Sequence, residues 1–129
     1  MSDYAQNTSA AKDAVKAIHL FATVGSPTAR GGWVSDASSD MKISGLAVPC
    51  VGDTVTYSDG SKAVIIDGAG FGASYLDKPF ALVGSRLDNG DHITATLQAC
   101  GHGVTEYQGK PIEGLFDPSY VHPFKVLDV

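Results

Sequence analysis

Three copies of a short string that ends in Val-Gly-Ser or Val-Gly-Asp constrain the fold of this chain more than any other feature. The copies place their glycines at Gly25, Gly52 and Gly84, which are 27 and 32 residues apart. Each copy is followed by a glycine turn and then by a short apolar segment. A glycine at the same place in every unit indicates a backbone bend or a close chain approach that a side chain would block. The sequence therefore predicts three similar units over residues 20–97.

The segments between these glycines are typical of short β-strands. Apolar and β-branched runs occupy residues 20–24, 54–57, 63–66, 80–83, 92–97 and 104–107. The Asp-Gly and Asn-Gly pairs between them tolerate the positive φ angles of tight hairpin turns. Glycine supplies 15 of the 129 residues, well above its usual share of about 7%. We therefore expect an all-β fold of three short hairpin units with little helix.

The two ends of the chain differ from this pattern. Residues 1–19 are either an N-terminal arm or a short helix over residues 10–18, which Thr8 or Ser9 would cap. The β domain is expected over residues 20–129, with residues 100–129 as a C-terminal extension that packs on the body or offers a surface to a partner. The glycine-rich residues 68–75 are expected to be a flexible connector, in which a larger residue at Gly70 is tolerated better than one at Gly84.

Composition excludes several functional classes. The net charge is −5, and the nine lysines and arginines are scattered, so we expect no nucleic-acid partner. No apolar run approaches the roughly 18 residues of a membrane-spanning helix. The N-terminal residues lack a basic segment followed by an apolar one, so we expect synthesis in the cytoplasm without a signal peptide. Two cysteines are too few for a disulfide scaffold.

The repeated strings resemble the PAAR-repeat family, small conical domains with pseudo-threefold symmetry that cap secretion and phage-tail spikes. The family unit, Gly-Lys-Pro-Ala-Ala-Arg-Val-Gly-Asp, is echoed by residues 77–85 (DKPFALVGS) and residues 45–53 (GLAVPCVGD). The first unit keeps ATVGS at residues 22–26, followed by TARGG at residues 28–32. This resemblance covers residues 20–97 and implies a structural protein.

The resemblance also implies a zinc ion near the tip, which this chain is not equipped to bind. The positions of the family's histidine and cysteine ligands fall on Arg30, Tyr57, Gly60 and Asn89. None of these replaces a thiolate or an imidazole on zinc. We therefore expect no cofactor and no metal ligands at these positions.

A rebuilt zinc site is the alternative. Its candidate ligands are His92, Cys100 and His102, with Cys50 and His122 further away in sequence. Surface histidines and a buried cysteine are the simpler interpretation of the same residues.

The sequence offers no convincing catalytic site. Residues 68–74 are rich in glycine, but no Lys-Ser/Thr follows them, and Pro79 would stop a phosphate-binding helix. Asp53, Asp59 and Asp67 are candidate acid or base residues, yet each occupies a position where turns favour aspartate for local hydrogen bonds. We therefore predict no catalytic residues and no enzyme. A small β-scaffold enzyme or secreted effector, and a free metal-binding module, remain the alternatives.

The resemblance implies a mechanical function. One copy of the chain would cap and sharpen the trimeric VgrG-type spike of a type VI secretion system or related contractile tail. Its membrane contact would be transient, during puncture, and its termini would be available to attach an effector. The spike would carry it out of the cytoplasm to the extracellular space or into a target cell.

Overall fold

Nine short strands and one helical turn make up the regular structure of the protein, whose computed structural model describes residues 14–123. Within that range there is no α-helix, and the all-β prediction is confirmed. The helical turn is a 3-10 turn at Gly70–Gly72. The strands are β1 (Val15–Leu20), β2 (Trp33–Val34), β3 (Lys42–Ile43), β4 (Leu46–Ala47), β5 (Thr54–Thr56), β6 (Lys62–Val64), β7 (Ser74–Tyr75), β8 (Lys78–Pro79) and β9 (Gly103–Tyr107).

Four small antiparallel sheets contain these strands. β5 pairs with both β2 and β6, while β1 pairs with β9, β3 with β4, and β7 with β8. Several segments predicted as strands are shorter than expected and form only isolated bridges, such as Phe21 with Leu82 and Arg86 with His92. The described residues include no helix with the length and apolar character that a bilayer crossing requires.

The N-terminal helix prediction is wrong for the part of it that the structure describes. Residues 15–18 belong to β1, which pairs antiparallel with β9, with Ile18 opposite Thr105. Across the same pair, Glu106 lies 3.1 Å from the His19 ring and 3.6 Å from the Lys16 amine. Pairing with a distant strand outweighs the helix propensity of alanine and lysine, which is a weak preference. The earlier part of the predicted helix, and its caps, lie outside the described residues.

The three units are linked into a closed ring by equivalent backbone hydrogen bonds. In each unit the valine of the Val-Gly pair donates its N–H to a carbonyl that precedes the next unit's string. The three bonds are Val24 to Ala47 (2.9 Å), Val51 to Pro79 (2.9 Å) and Val83 to Leu20 (2.9 Å). Because the third bond returns to the first unit, the backbone has pseudo-threefold symmetry.

Each unit turns at a corner, formed by the Val-Gly pair and the Ser or Asp that follows it. The corner glycines have φ angles of +92°, +99° and +101° at Gly25, Gly52 and Gly84, a region that residues with a Cβ rarely adopt. The corner side chain then accepts the backbone N–H three residues earlier: Thr23 to Ser26 (2.9 Å), Cys50 to Asp53 (2.7 Å) and Leu82 to Ser85 (2.9 Å). The predicted equivalence of the three glycines is confirmed.

Buried side chains form two core layers. The base layer consists of Phe21, Ile43, Val48, Cys50, Ala69, Phe80, Leu82 and Val104. The tip layer consists of Ala22, Val34, Val55, Ala63, Ile65, Ala81, Leu87 and Ile93. Strands leading into the units contribute to the base layer, and the hairpins that follow the corners contribute to the tip layer, so the corners separate the two ends of the molecule.

A two-stranded arm leads into each unit on the base side. The β3–β4 and β7–β8 arms are hairpins with two-residue turns, Ser44-Gly45 and Leu76-Asp77. The third arm is β1 paired with β9, two segments far apart in the chain. The arm before the first unit is therefore completed by residues that follow the third unit. This pairing is a second link between the two ends of the repeat.

The glycine-rich residues 68–75 are not a flexible connector, and that expectation is wrong. Gly68 and Gly70 are buried, and the Phe71 N–H donates to the Glu113 carbonyl at 2.8 Å. A Cβ on Gly70 would collide with the backbone of Glu113 and Gly114. Glycine is needed here because two segments of backbone pass too closely for a side chain.

The C-terminal extension packs on this segment. The Phe116 N–H donates to the Gly68 carbonyl at 2.8 Å, and Leu115 and Phe116 pack against the base layer. The extension is thus part of the body as far as residue 116.

Candidate functional site: the hairpin turns at the tip

Three tight turns close the hairpins on the tip side. They span residues 28–32, 57–61 and 87–91, which we call the first, second and third tip turns. In each, the N–H of the first residue donates to the carbonyl of the last, at 3.0, 2.9 and 2.9 Å respectively. Gly31, Gly60 and Gly90 occupy the same place with φ angles of +86°, +88° and +89°. The second hairpin has two more residues on each side than the others, so it extends furthest from the corners.

One carboxylate connects all three tip turns. Asp91, at the end of the third turn, is 1% exposed. Its Oδ1 accepts the backbone N–H of Arg30 from the first turn at 3.1 Å and that of His92 at 2.8 Å. Its Oδ2 accepts the Tyr57 hydroxyl of the second turn at 2.6 Å, and the Thr28 side chain also bonds to it.

Asn89 extends this network. Its Nδ2 donates to the Tyr57 hydroxyl oxygen at 3.1 Å, and its backbone carbonyl accepts a hydrogen bond from the Arg30 guanidinium at 3.0 Å. Its Oδ1 accepts the Asp91 N–H at 3.0 Å. The Asp91 carboxylate is buried, and a buried charged group is costly to leave unpaired. Here both this carboxylate and the Tyr57 phenol have partners.

The network shifts the ionisation of its two acidic groups in opposite directions. Burial acts to raise the pKa of the Asp91 carboxyl, but the hydrogen bonds from Thr28, Tyr57 and the two N–H groups outweigh it and hold that pKa below its ordinary value. For Tyr57, burial and the hydrogen bond that it donates to Asp91 raise the pKa of the phenol. Both shifts favour a neutral phenol donating to an ionised carboxylate.

Three of the four positions expected from the zinc-ligand pattern lie in this network. Arg30, Tyr57 and Asn89 come together around Asp91, while Gly60 lies at the turn of the longest hairpin. A guanidinium, a phenol and a primary amide do not supply the thiolate or imidazole donors that zinc takes in structural sites. Arg30 also brings a positive charge to the third tip turn, where its guanidinium donates to the Asn89 backbone carbonyl. The residues present do not fit a zinc ion.

The candidate residues for a rebuilt zinc site do not come together. Across residues 14–123, no group of three or more His, Cys, Asp or Glu side chains is placed to hold a metal ion. Cys100 is exposed, with its Sγ 3.2 Å from the Ser44 hydroxyl, and His92 and His102 are also exposed. Cys50 lies in the base layer, where burial raises the pKa of its thiol to about 11. The content of metal in the purified protein stays a prediction.

The three candidate acid or base residues make structural bonds. Asp59 accepts the N–H and hydroxyl of Ser61 at 2.9 and 2.6 Å within its own turn. Asp53 accepts the Cys50 N–H at the second corner, and the buried Asp67 pairs with Arg86 at 2.6 Å. An open groove of about 340 Å³ runs beside the β7–β8 arm, and none of these three aspartates lines it. Asp91 was not singled out from the sequence, where it is one of several aspartates next to a glycine.

A family model of the PAAR motif matches residues 24–95. The chain belongs to the PAAR-motif family. The matched region runs from the first corner to just beyond the third tip turn, so it contains the three corners and the three tip turns. Comparison with curated proteins and with solved structures gives no match. The PAAR assignment and the all-β fold predicted from the sequence are both confirmed.

Proposed function

We propose that this PAAR-motif chain caps the trimeric VgrG-type spike of a type VI secretion system or of a related contractile tail. The observation that supports this most strongly is the closed ring of equivalent hydrogen bonds, from Val24 to Ala47, Val51 to Pro79 and Val83 to Leu20. A single chain with three equivalent corners offers three similar faces to a partner with a true threefold axis. The role is structural, and we assign no catalytic residue.

The base side supplies the surface for the spike. A spike trimer ends in three copies of the same strand edges, whose unpaired N–H and C=O groups need partners. The three arms give this chain edges of its own on that side. Leu76, at the turn of the β7–β8 arm, is 78% exposed and has a φ of +57°, so an apolar side chain is held out to solvent in a conformation that most residues avoid.

The side opposite the spike-binding surface would form the pointed end of the cap. The second hairpin, β5–β6, extends beyond the other two and ends in the short polar turn that contains Asp59 and Gly60. The chain would travel on the spike to the extracellular space or the target cell, with membrane contact only during puncture. An effector would attach through the terminal segments.

Co-purification with candidate spike proteins tests the function and the orientation together. Replacing Leu76 with Asp should abolish binding to the trimer, because it places a charge on the apolar contact. Aspartate tolerates the positive φ at this position, so the variant should keep the wild-type melting temperature. The matched control is Ala29→Asp, which adds the same charge at the exposed first tip turn and should bind normally. Loss of binding with Ala29→Asp alone would contradict the proposed orientation, and absence of binding to any trimeric spike would contradict the function.

A further inference from the structure

Side chains of this protein join the three tip turns at the place where the PAAR-family ligand pattern predicts a zinc ion. The first turn contributes the Arg30 N–H and the Thr28 side chain, and the second contributes the Tyr57 hydroxyl. The third contributes the acceptor itself, Asp91. A structural zinc ion joins separate chain segments in a similar way, because ligands from each segment bind the same ion.

We propose that the Asp91 carboxylate is the side-chain cross-link of the tip turns and takes the place of a metal ion in this chain. A metal site places a cation among electron-donating side chains. Here the polarity is reversed, because an anion is surrounded by hydrogen-bond donors. The Tyr57 bond at 2.6 Å has the length typical of an O–H donor on a carboxylate.

The surroundings of Asp91 favour this arrangement over a bound cation. Arg30 lies over the third turn, with its Nη2 within 3.5 Å of where a Cβ on Gly90 would lie, and its Nη1 bonds to the Asn89 carbonyl. Its positive charge at the third turn repels a cation. Asn89 orients the Tyr57 hydroxyl by donating to its oxygen, which leaves the phenolic hydrogen directed at Asp91.

The cross-linking of the tip turns does not depend on the identity of the spike. Asp91 differs in its bonds from the neighbouring aspartates. Asp59 bonds only within its own turn, whereas Asp91 bonds to all three turns. Loss of the Asp91 network should therefore loosen the tip turns, which would keep only their backbone bonds to neighbouring units, while the base layer stays folded.

The test combines chelation, metal analysis and amide hydrogen exchange on the full-length protein. Wild-type protein should contain far less than one equivalent of zinc, and neither a chelator nor added zinc should change its melting temperature. Tyr57→Phe removes one hydroxyl and keeps the ring. It should speed exchange of the Arg30 and His92 amides, which donate to Asp91, by about tenfold or more. The Val51 and Val83 amides of the ring should be unaffected.

Two further variants complete the experiment. Asp91→Asn should release the same amides more strongly and lower the melting temperature by about 5 °C or more. Asp59→Asn is the matched control and should leave the Arg30 and His92 amides protected. Stoichiometric zinc with a lower melting temperature after chelation would overturn the proposal. Unchanged exchange at Arg30 and His92 in Tyr57→Phe would also overturn it, even if Asp91→Asn failed to fold.

Discussion

The three corners and the three tip turns occupy equivalent places in the repeat, yet they are stabilised in different ways. Every corner uses the same glycine conformation and the same side-chain bond to the backbone N–H three residues earlier. The tip hairpins also share equivalent backbone bonds between units, from the N–H of Ser35 to Thr54, of Ile66 to Arg86 and of Thr94 to Pro27. The side-chain network that links the tip turns, by contrast, is a single asymmetric one around Asp91. Local chemistry repeated three times therefore produces the threefold backbone, whereas the side-chain links between the tip turns depend on residues that occur once.

Breaking the second corner should have the largest effect. Asp53 is 5% exposed, and its Oδ2 accepts the N–H of Cys50 at 2.7 Å and both the N–H and hydroxyl of Ser38 at 2.8 and 3.1 Å. Asp53→Ala leaves these donors without their acceptor and should lower the free energy of unfolding by about 3 kcal/mol or more.

The third corner provides the comparison. Ser85→Ala removes a single acceptor, that of the Leu82 N–H, and should cost about 1–2 kcal/mol. Urea unfolding monitored by circular dichroism measures both variants. Equal losses in Asp53→Ala and Ser85→Ala would show that the Ser38 bonds contribute nothing.

The corner glycine should be less replaceable than a glycine in an arm. Gly84 has a φ of +101°, and a Cβ on it would lie 3.3 Å from the Phe116 ring. Gly45 has a φ of +78° and open space around it. Asparagine adopts the left-handed helical region but not larger positive φ angles, so Gly84→Asn should cost about 1–3 kcal/mol and Gly45→Asn only a few tenths. Thermal unfolding of the pair is the measurement, and equal tolerance would mean that the corner does not require its glycine.

The Asp91 network should make the stability of the protein depend on pH, and this is the smallest of the expected effects. The pKa of Asp91 is lowered in the folded state, so its stabilising contribution is present above its unfolded pKa of about 3.8 and lost as pH falls through the lower folded value. Tyr57 contributes below its unfolded pKa of about 10 and loses that contribution as pH rises through the raised folded value. Arg30 and His92 are the other charged or titratable groups beside Asp91.

The difference in melting temperature between wild type and Asp91→Asn isolates this contribution from those of other carboxylates. It should be largest near neutral pH and shrink as pH falls below about 4. A constant difference across that interval would mean that Asp91 does not act through its charge.

The repeat made most of the fold predictable, because corner glycines and turn glycines are local signals. The prediction failed where distant contacts decide the structure. Residues 15–18 have helical propensity, but they pair with β9, which lies more than 80 residues away. Gly70 looked like part of a flexible connector, and only the approach of the Glu113 backbone shows why it is glycine.

Only part of the tip site could be predicted from the sequence. The resemblance to the PAAR-repeat family identified Arg30, Tyr57 and Asn89 as positions where zinc ligands are expected, and the structure brings these residues together. The residue at the centre could not be identified, because Asp91 follows Asn89-Gly90 and has the sequence signature of an ordinary turn aspartate. Its bonds to Arg30 and Tyr57 span 61 and 34 residues, which no local pattern reveals.

The mass of the complex with a cognate spike tests the central claim most directly. If the ring of three corners matches a threefold partner, native mass spectrometry of the reconstituted complex should give one copy of this chain to three spike chains. The complex should persist as salt is raised, because the proposed contacts are strand edges and apolar side chains rather than paired charges. A complex with three copies of this chain on three spike chains, or one that dissociates at moderate salt, would contradict the account.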